Sequence, residues 1–125
     1  MLLRDMDAVA TLAVKDLDTA ARFYERTLGL TRATAEDGES IVYESGDTMI
    51  NVYRSNFAGT NKATAVTWEV DDVDDVVNTL KAKGVQFEHY DLPHTKREGD
   101  VHVSGDIKVA WFKDPDGNIL SVMNR

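Results

Sequence analysis

At 125 residues the chain fits one domain, long enough to bury a core. Its net charge of −8 argues against nucleic acid and anionic membrane surfaces, both of which need a basic face. The absence of cysteine excludes disulfides, thiolate catalysis and cysteine-held metals. The opening residues, Met1 to Asp7, are too acidic and too short in apolar run for a signal peptide, and no apolar run is long enough to span a bilayer. A cytoplasmic location is therefore expected.

Ala8 to Val14 alternates loosely and reads as a strand. Asp16 is placed to cap a helix, because its carboxylate can accept from the free N–H groups of a first turn. Leu17, Ala20, Ala21, Tyr24 and Leu28 then form one helical stripe, ended by Gly29. At that spacing Phe23-Tyr24 reads as core. Leu30 to Ala35, Ser40 to Glu44 and Met49 to Arg54 read as three strands, separated by turn residues at Glu36-Asp37-Gly38-Glu39 and Ser45-Gly46-Asp47. The segment 55–62, polar and Gly-containing, reads as a linker.

The second half repeats the first. Ala63 to Val70 is a strand, Asp72 a cap, and Val73, Val76, Val77 and Leu80 a helical stripe ended by Gly84. Val85 to Tyr90 is the next strand. Leu92 to Gly105 reads as a long loop, a length that is usually functional. Ile107 to Lys113 and Asn118 to Met123 form a hairpin around Asp114-Pro115-Asp116-Gly117, in which Pro fixes φ and Gly supplies a positive φ. Val14-Lys15-Asp16-Leu17-Asp18 is matched by Val70-Asp71-Asp72-Val73-Asp74, 56 positions later. A fixed offset between two strand–helix–strand units signals an internal duplication. The expected fold is α+β, with two βαβββ modules at 8–54 and 63–124 inside a single domain, 1–125.

These residues carry a family resemblance. Val14-Lys15-Asp16-Leu17-Asp18, Phe23-Tyr24, Leu28-Gly29-Leu30 and the turn from Phe112 to Asn118 resemble the vicinal oxygen chelate superfamily, which includes glyoxalases, bleomycin resistance proteins and extradiol dioxygenases. The resemblance covers about Ala8 to Met123. It implies that the modules form a curled mixed sheet around an open cup, helices outside, and that the protein is a homodimer. It also implies where metal-dependent members place their ligands, and those positions fall on Val9, Asn51, Ala65 and Ser121 in this sequence. Val9 and Ala65 have no donor atom, while Asn51 and Ser121 offer only neutral oxygens. No metal and no cofactor are therefore expected. His89, His94 and His102 lack the spacing of a preformed site, and His94 and His102 read as loop residues.

The expected function is metal-free binding of a small organic molecule, of the bleomycin-binding type. Strand parity with the vacated ligand positions gives the expected lining: Thr11, Asn51, Tyr53, Thr67, Glu69, Trp111 and Ser121. The alternative is a glyoxalase-like lyase or isomerase with a non-standard site, for which Glu69 and Glu88 are the candidate bases. The catalytic residues and the ligand's identity stay open.

Overall fold

The computed structural model describes residues 2–33 and 38–125. The expected strand end at Thr34-Ala35 and the Glu36-Asp37 part of the following turn lie outside the described residues. The chain divides into two compact units, Met1–Ala58 and Gly59–Arg125.

In the first unit, a short 3-10 turn (Leu3–Asp5) precedes β1 (Ala10–Val14). Helix α1 begins at Leu17–Ala21 and continues as a π-helical segment, Arg22–Thr27. Strands β2 (Thr31–Arg32), β3 (Ser40–Ser45) and β4 (Thr48–Arg54) complete a sheet of order β1-β4-β3-β2. The β1–β4 pair is parallel and the other pairs are antiparallel. Asp16 caps α1, accepting from the Asp18 N–H at 3.0 Å and the Thr19 hydroxyl at 2.9 Å. Leu17, Ala20 and Tyr24 are buried, as the helical stripe requires. Tyr24 is fully buried and lies 6.1 Å from the Tyr43 ring. The π-helical segment is tied to the sheet by Glu25. Its carboxylate accepts from the Tyr43 hydroxyl and from the Arg32 guanidinium, each at 2.8 Å. Those contacts hold the Glu25 carboxyl below its ordinary value against the cost of its burial, and burial with the Glu25 charge pushes the Tyr43 hydroxyl well up.

In the second unit, β5 (Thr64–Val70) leads to α2 (Val73–Ala82), capped by Asp72, which accepts from the Asp75 N–H at 3.1 Å. Then follow β6 (Phe87–Glu88), β7 (Lys96–Glu98), β8 (Val101–Ser104), β9 (Ile107–Lys113) and β10 (Ile119–Asn124). The sheet runs β5-β10-β9-β8-β7, with β6 also pairing with β9. As in the first unit, the first and last strands pair in parallel, here β5 with β10. The fold is α+β and the βαβββ repeat is present in both units. β6 and β8 lie along one edge of β9, and β7 lies outside β8.

The long loop expected at Leu92 to Gly105 needs correction, because it contains the β7–β8 hairpin. Three two-residue turns share one dipeptide: Gly46-Asp47 joins β3 to β4, Gly99-Asp100 joins β7 to β8, and Gly105-Asp106 joins β8 to β9. The glycines have φ of +56°, +64° and +59°, a conformation that a side chain would strain. The last hairpin is clamped by Asn124, which accepts from the Lys108 N–H at 2.9 Å and donates to the Asp106 carbonyl at 2.7 Å. Asp100 ties the β7–β8 turn down, accepting from Lys81 and bonding His89, each at 2.7 Å.

Each sheet has one buried apolar face. In the first unit it carries Leu12, Val14, Ile41, Tyr43, Ile50 and Val52. In the second it carries Ala110, Phe112, Leu120 and Val122, and α2 packs on β8, β9 and β10 through the stripe containing Val73, Val77 and Leu80. The hairpin after β9 closes on buried Asp114. Its Oδ1 accepts from the N–H groups of Asp116 and Asn118, and its Oδ2 from the Asn118 amide at 2.8 Å.

Candidate functional site

Paired residues in a sheet project to the same side, so the registers place every expected lining residue. In the first unit Thr11 lies beside Asn51 and Ala13 beside Tyr53. Asn51 lies opposite Val42, and Tyr53 opposite Ser40. Thr11, Asn51 and Tyr53 therefore share the face opposite the buried one. Thr11 and Tyr53 are exposed, whereas Asn51 is half-buried and its Oδ1 has no hydrogen-bond partner.

In the second unit one row crosses the sheet from Thr67 through Ser121 and Trp111 to Glu88. The next row runs from Glu69 through Met123 and Val109 to His102 and Arg97. Thr67, Glu69, Trp111 and Ser121 thus share one face. Ser121 is buried, and its hydroxyl is 2.7 Å from that of Thr67. Trp111 is half-buried and donates its indole N–H to the Thr64 hydroxyl at 3.0 Å. Beside it lies a depression of about 340 Å³, lined by Lys62, Ala63, Thr64, Tyr90, Trp111 and Ile119. Of the two candidate bases, Glu69 is exposed and Glu88 lies 3.5 Å from the Lys113 ammonium.

Four residues around Trp111 were not expected from the sequence: Lys62, Thr64, Tyr90 and His102. The reading of His102 as a loop residue is corrected, since it sits in β8 with 1% exposure. Its Nε2 accepts the backbone N–H of Tyr90 at 3.0 Å, and its ring meets Trp111 at 4.9 Å and 82°. Burial pushes the His102 imidazole below its ordinary value; the charges of His89 and Arg97 act in the same direction, and the Val109 backbone partly offsets them. The signal that could have found it is Val101-His102-Val103, an apolar alternation lying between two Gly-Asp turns.

The positions implied for a metal do not fit one. Val9 and Ala65 are exposed and have no donor, Ser121 is engaged by Thr67, and Asn51 offers an amide. Among the described residues no group of three His, Asp or Glu side chains is placed to hold an ion. Among them, too, no helix is long and apolar enough to cross a membrane.

Two α+β units, each with a parallel first-and-last strand pair and an open polar-aromatic face, define the architecture of a duplicated βαβββ protein. The family model for the Glyoxalase/Bleomycin resistance protein/Dioxygenase superfamily matches residues 6–122, and the chain belongs to that superfamily. It is 25% identical over 120 residues to virulence protein STM3117 of Salmonella typhimurium strain LT2, covering 89% of this chain and 78% of that protein. Its fold resembles that of a bleomycin-binding protein solved with bleomycin, at a TM-score of 0.71 and 22% identity, covering 95% of this chain and 98% of the other. It also resembles lactoylglutathione lyase from Agrobacterium tumefaciens, at a TM-score of 0.71 and 19% identity, covering 94% and 92%.

Proposed function

We propose that this chain binds a small organic molecule without a resident metal. The observation that carries the reading is the open face of the second sheet. There an aromatic side chain, Trp111, borders a depression, and the positions that hold metal in related enzymes offer no adequate donors. The fold shared with a protein solved in complex with bleomycin supports the binding of a small molecule. The expected lining is Thr11, Asn51 and Tyr53 in the first unit and Thr67, Glu69, Trp111 and Ser121 in the second. The reading extends to a cytoplasmic homodimer, supported by the acidic, cysteine-free composition and by the family resemblance.

The lyase or isomerase alternative shares the fold of lactoylglutathione lyase, but its candidate bases are an exposed Glu69 and a Glu88 that faces the Lys113 ammonium. Elemental analysis after chelator-free purification, with nickel, zinc, manganese and iron each added back, tests the metal-free part. Substoichiometric metal and no turnover of a hemithioacetal are expected, alongside hits in a thermal-shift screen of small organic molecules. One equivalent of bound metal with hemithioacetal turnover would replace this reading with the enzyme.

A further inference from the structure

Strands β6 and β8 lie on the same edge of β9, with Glu88 opposite Trp111 and His102 opposite Val109. Tyr90 lies just beyond the end of β6, where the ladder is interrupted. Its backbone N–H is taken up by a side chain, Nε2 of His102, at 3.0 Å. Because Nε2 accepts, the neutral ring carries its proton on Nδ1. The His102 ring also lies 4.9 Å from Trp111 and 6.3 Å from Tyr90, and those two rings meet edge-on at 5.3 Å. Two members of this triad, Trp111 and Tyr90, are walls of the depression. On its other side the Trp111 indole is pinned to Thr64.

The triad is not a fully satisfied core. The Tyr90 hydroxyl is buried with no hydrogen-bond partner, and Nδ1 of His102 is buried with no partner in good hydrogen-bond geometry, only the Val109 backbone acting on the ring. Unpaired buried donors are destabilising, and departures of this kind concentrate at functional sites. The lining contains aromatic and aliphatic surface, the hydroxyls of Thr64 and Tyr90 and one ammonium, Lys62, with no carboxylate. That is a local exception on a chain whose net charge is −8.

We propose that the depression seats a flat aromatic ring bearing an anionic group, with Trp111 and Tyr90 as its walls, Lys62 as its charge partner and His102 as the residue that positions both walls. This rests on the small-molecule-binding reading above and names the ligand class and a positioning residue for it. Trp111 and Tyr90 offer ring surface that favours aromatic over aliphatic partners. Lys62 selects for negative charge. His102 fixes Tyr90 through the backbone and Trp111 through ring contact, so its acceptor atom matters as much as its volume.

The test uses 2-naphthoate as probe on ¹⁵N-labelled full-length protein. The two tryptophans, Trp68 and Trp111, give separate indole N–H signals. Titration is expected to shift the Trp111 signal and leave that of Trp68, which stacks with Phe112, in place. Cyclohexanecarboxylate, lacking the flat ring, should bind about tenfold more weakly, and 2-naphthol, lacking the charge, about threefold more weakly. Lys62→Met should remove the preference for naphthoate over naphthol. His102→Phe keeps a ring and loses the acceptor, and should weaken naphthoate about tenfold. His102→Gln restores an acceptor for the Tyr90 N–H and should recover affinity to within about threefold of the parent. A purely structural histidine would lower the unfolding midpoint in both variants without separating their affinities. Equal affinity of His102→Phe and the parent would overturn the positioning role. A shift of Trp68 alone, or of neither indole with binding seen elsewhere, would overturn the subsite and leave the small-molecule reading standing. Failure of all three probes to bind would also overturn the subsite, while the wider reading is decided by its own ligand screen.

Discussion

A buried imidazole that accepts a hydrogen bond at Nε2 must stay neutral there, and this gives the second unit a defined response to acid. The folded His102 titrates below its ordinary value of 6.5, first because of burial. Between that folded value and 6.5 the unfolded chain binds more protons than the native one, so stability falls as pH is lowered through this window. Above 6.5 the contribution is fully present, and below the folded value the loss is complete. The groups facing His102 are His89, itself bonded to Asp100, and Arg97 across the β7–β8 pair. The Asp100 carboxyl is held below 3.8, chiefly by Lys81 and then His89, so its contribution disappears only as pH falls below that value. Urea midpoints measured from pH 7.5 to 5 should fall for the parent protein, and His102→Gln should flatten much of that slope. A variant slope equal to the parent's would show that other groups set it.

At the scale of elements, the second unit depends on two Gly-Asp turns that flank β8 and hold His102 in place. Each glycine has a positive φ, so replacing it strains the turn even though nothing lies within 4 Å of a new Cβ. Gly99→Ala and Gly105→Ala should each destabilise the protein by about 1 kcal/mol or somewhat more, read from chemical unfolding. Neutral outcomes for both would mean that the hairpin is held by Asn124 and Asp100 alone. The same dipeptide was legible at Gly46-Asp47 because alternating apolar strands flank it. It was illegible at Gly99-Asp100 because Lys96-Arg97-Glu98 is wholly charged and carries no period-2 signal. The helix starts were legible at Asp16 and Asp72, where a side-chain oxygen meets the first turn. The π-helical continuation at Arg22–Thr27 was not, because it is fixed by Glu25 meeting Arg32 and Tyr43, residues remote in sequence. The shared strand faces of the expected lining positions followed from parity counted out from turns, a local rule. The Tyr90–His102–Trp111 contact joins β8, β9 and the segment after β6, which no local rule reaches.

For the whole molecule, a homodimer is the expected state, and the described surface supplies the physical motive. Leu2, Leu3 and Met6, beside the first turn of the chain, are 62%, 86% and 54% exposed, and Val9 next to them is 48% exposed. Scattered apolar residues are ordinary on a surface, but four exposed ones within eight positions give this segment apolar area that a partner could cover. Each sheet also ends on strands paired on one side only within its own sheet, β1 and β2 in the first and β5 and β7 in the second. Open edges favour association unless charge opposes it. β7, Lys96-Arg97-Glu98, carries such charge, whereas β1, Ala10-Thr11-Leu12-Ala13-Val14, carries none. A two-fold contact using the N-terminal segment would bury the same patch from both copies. Light scattering coupled to gel filtration at tens of micromolar should give about twice the 13.9 kDa chain mass. The double substitution Leu3→Glu and Met6→Glu places two carboxylates from each copy in that contact, and should shift the protein to monomer without lowering its unfolding midpoint by more than about 1 kcal/mol equivalent. A parent protein that stays monomeric at high micromolar concentration would remove the dimer from the proposal. A dimer that survives the double substitution would move the contact away from the N-terminal patch.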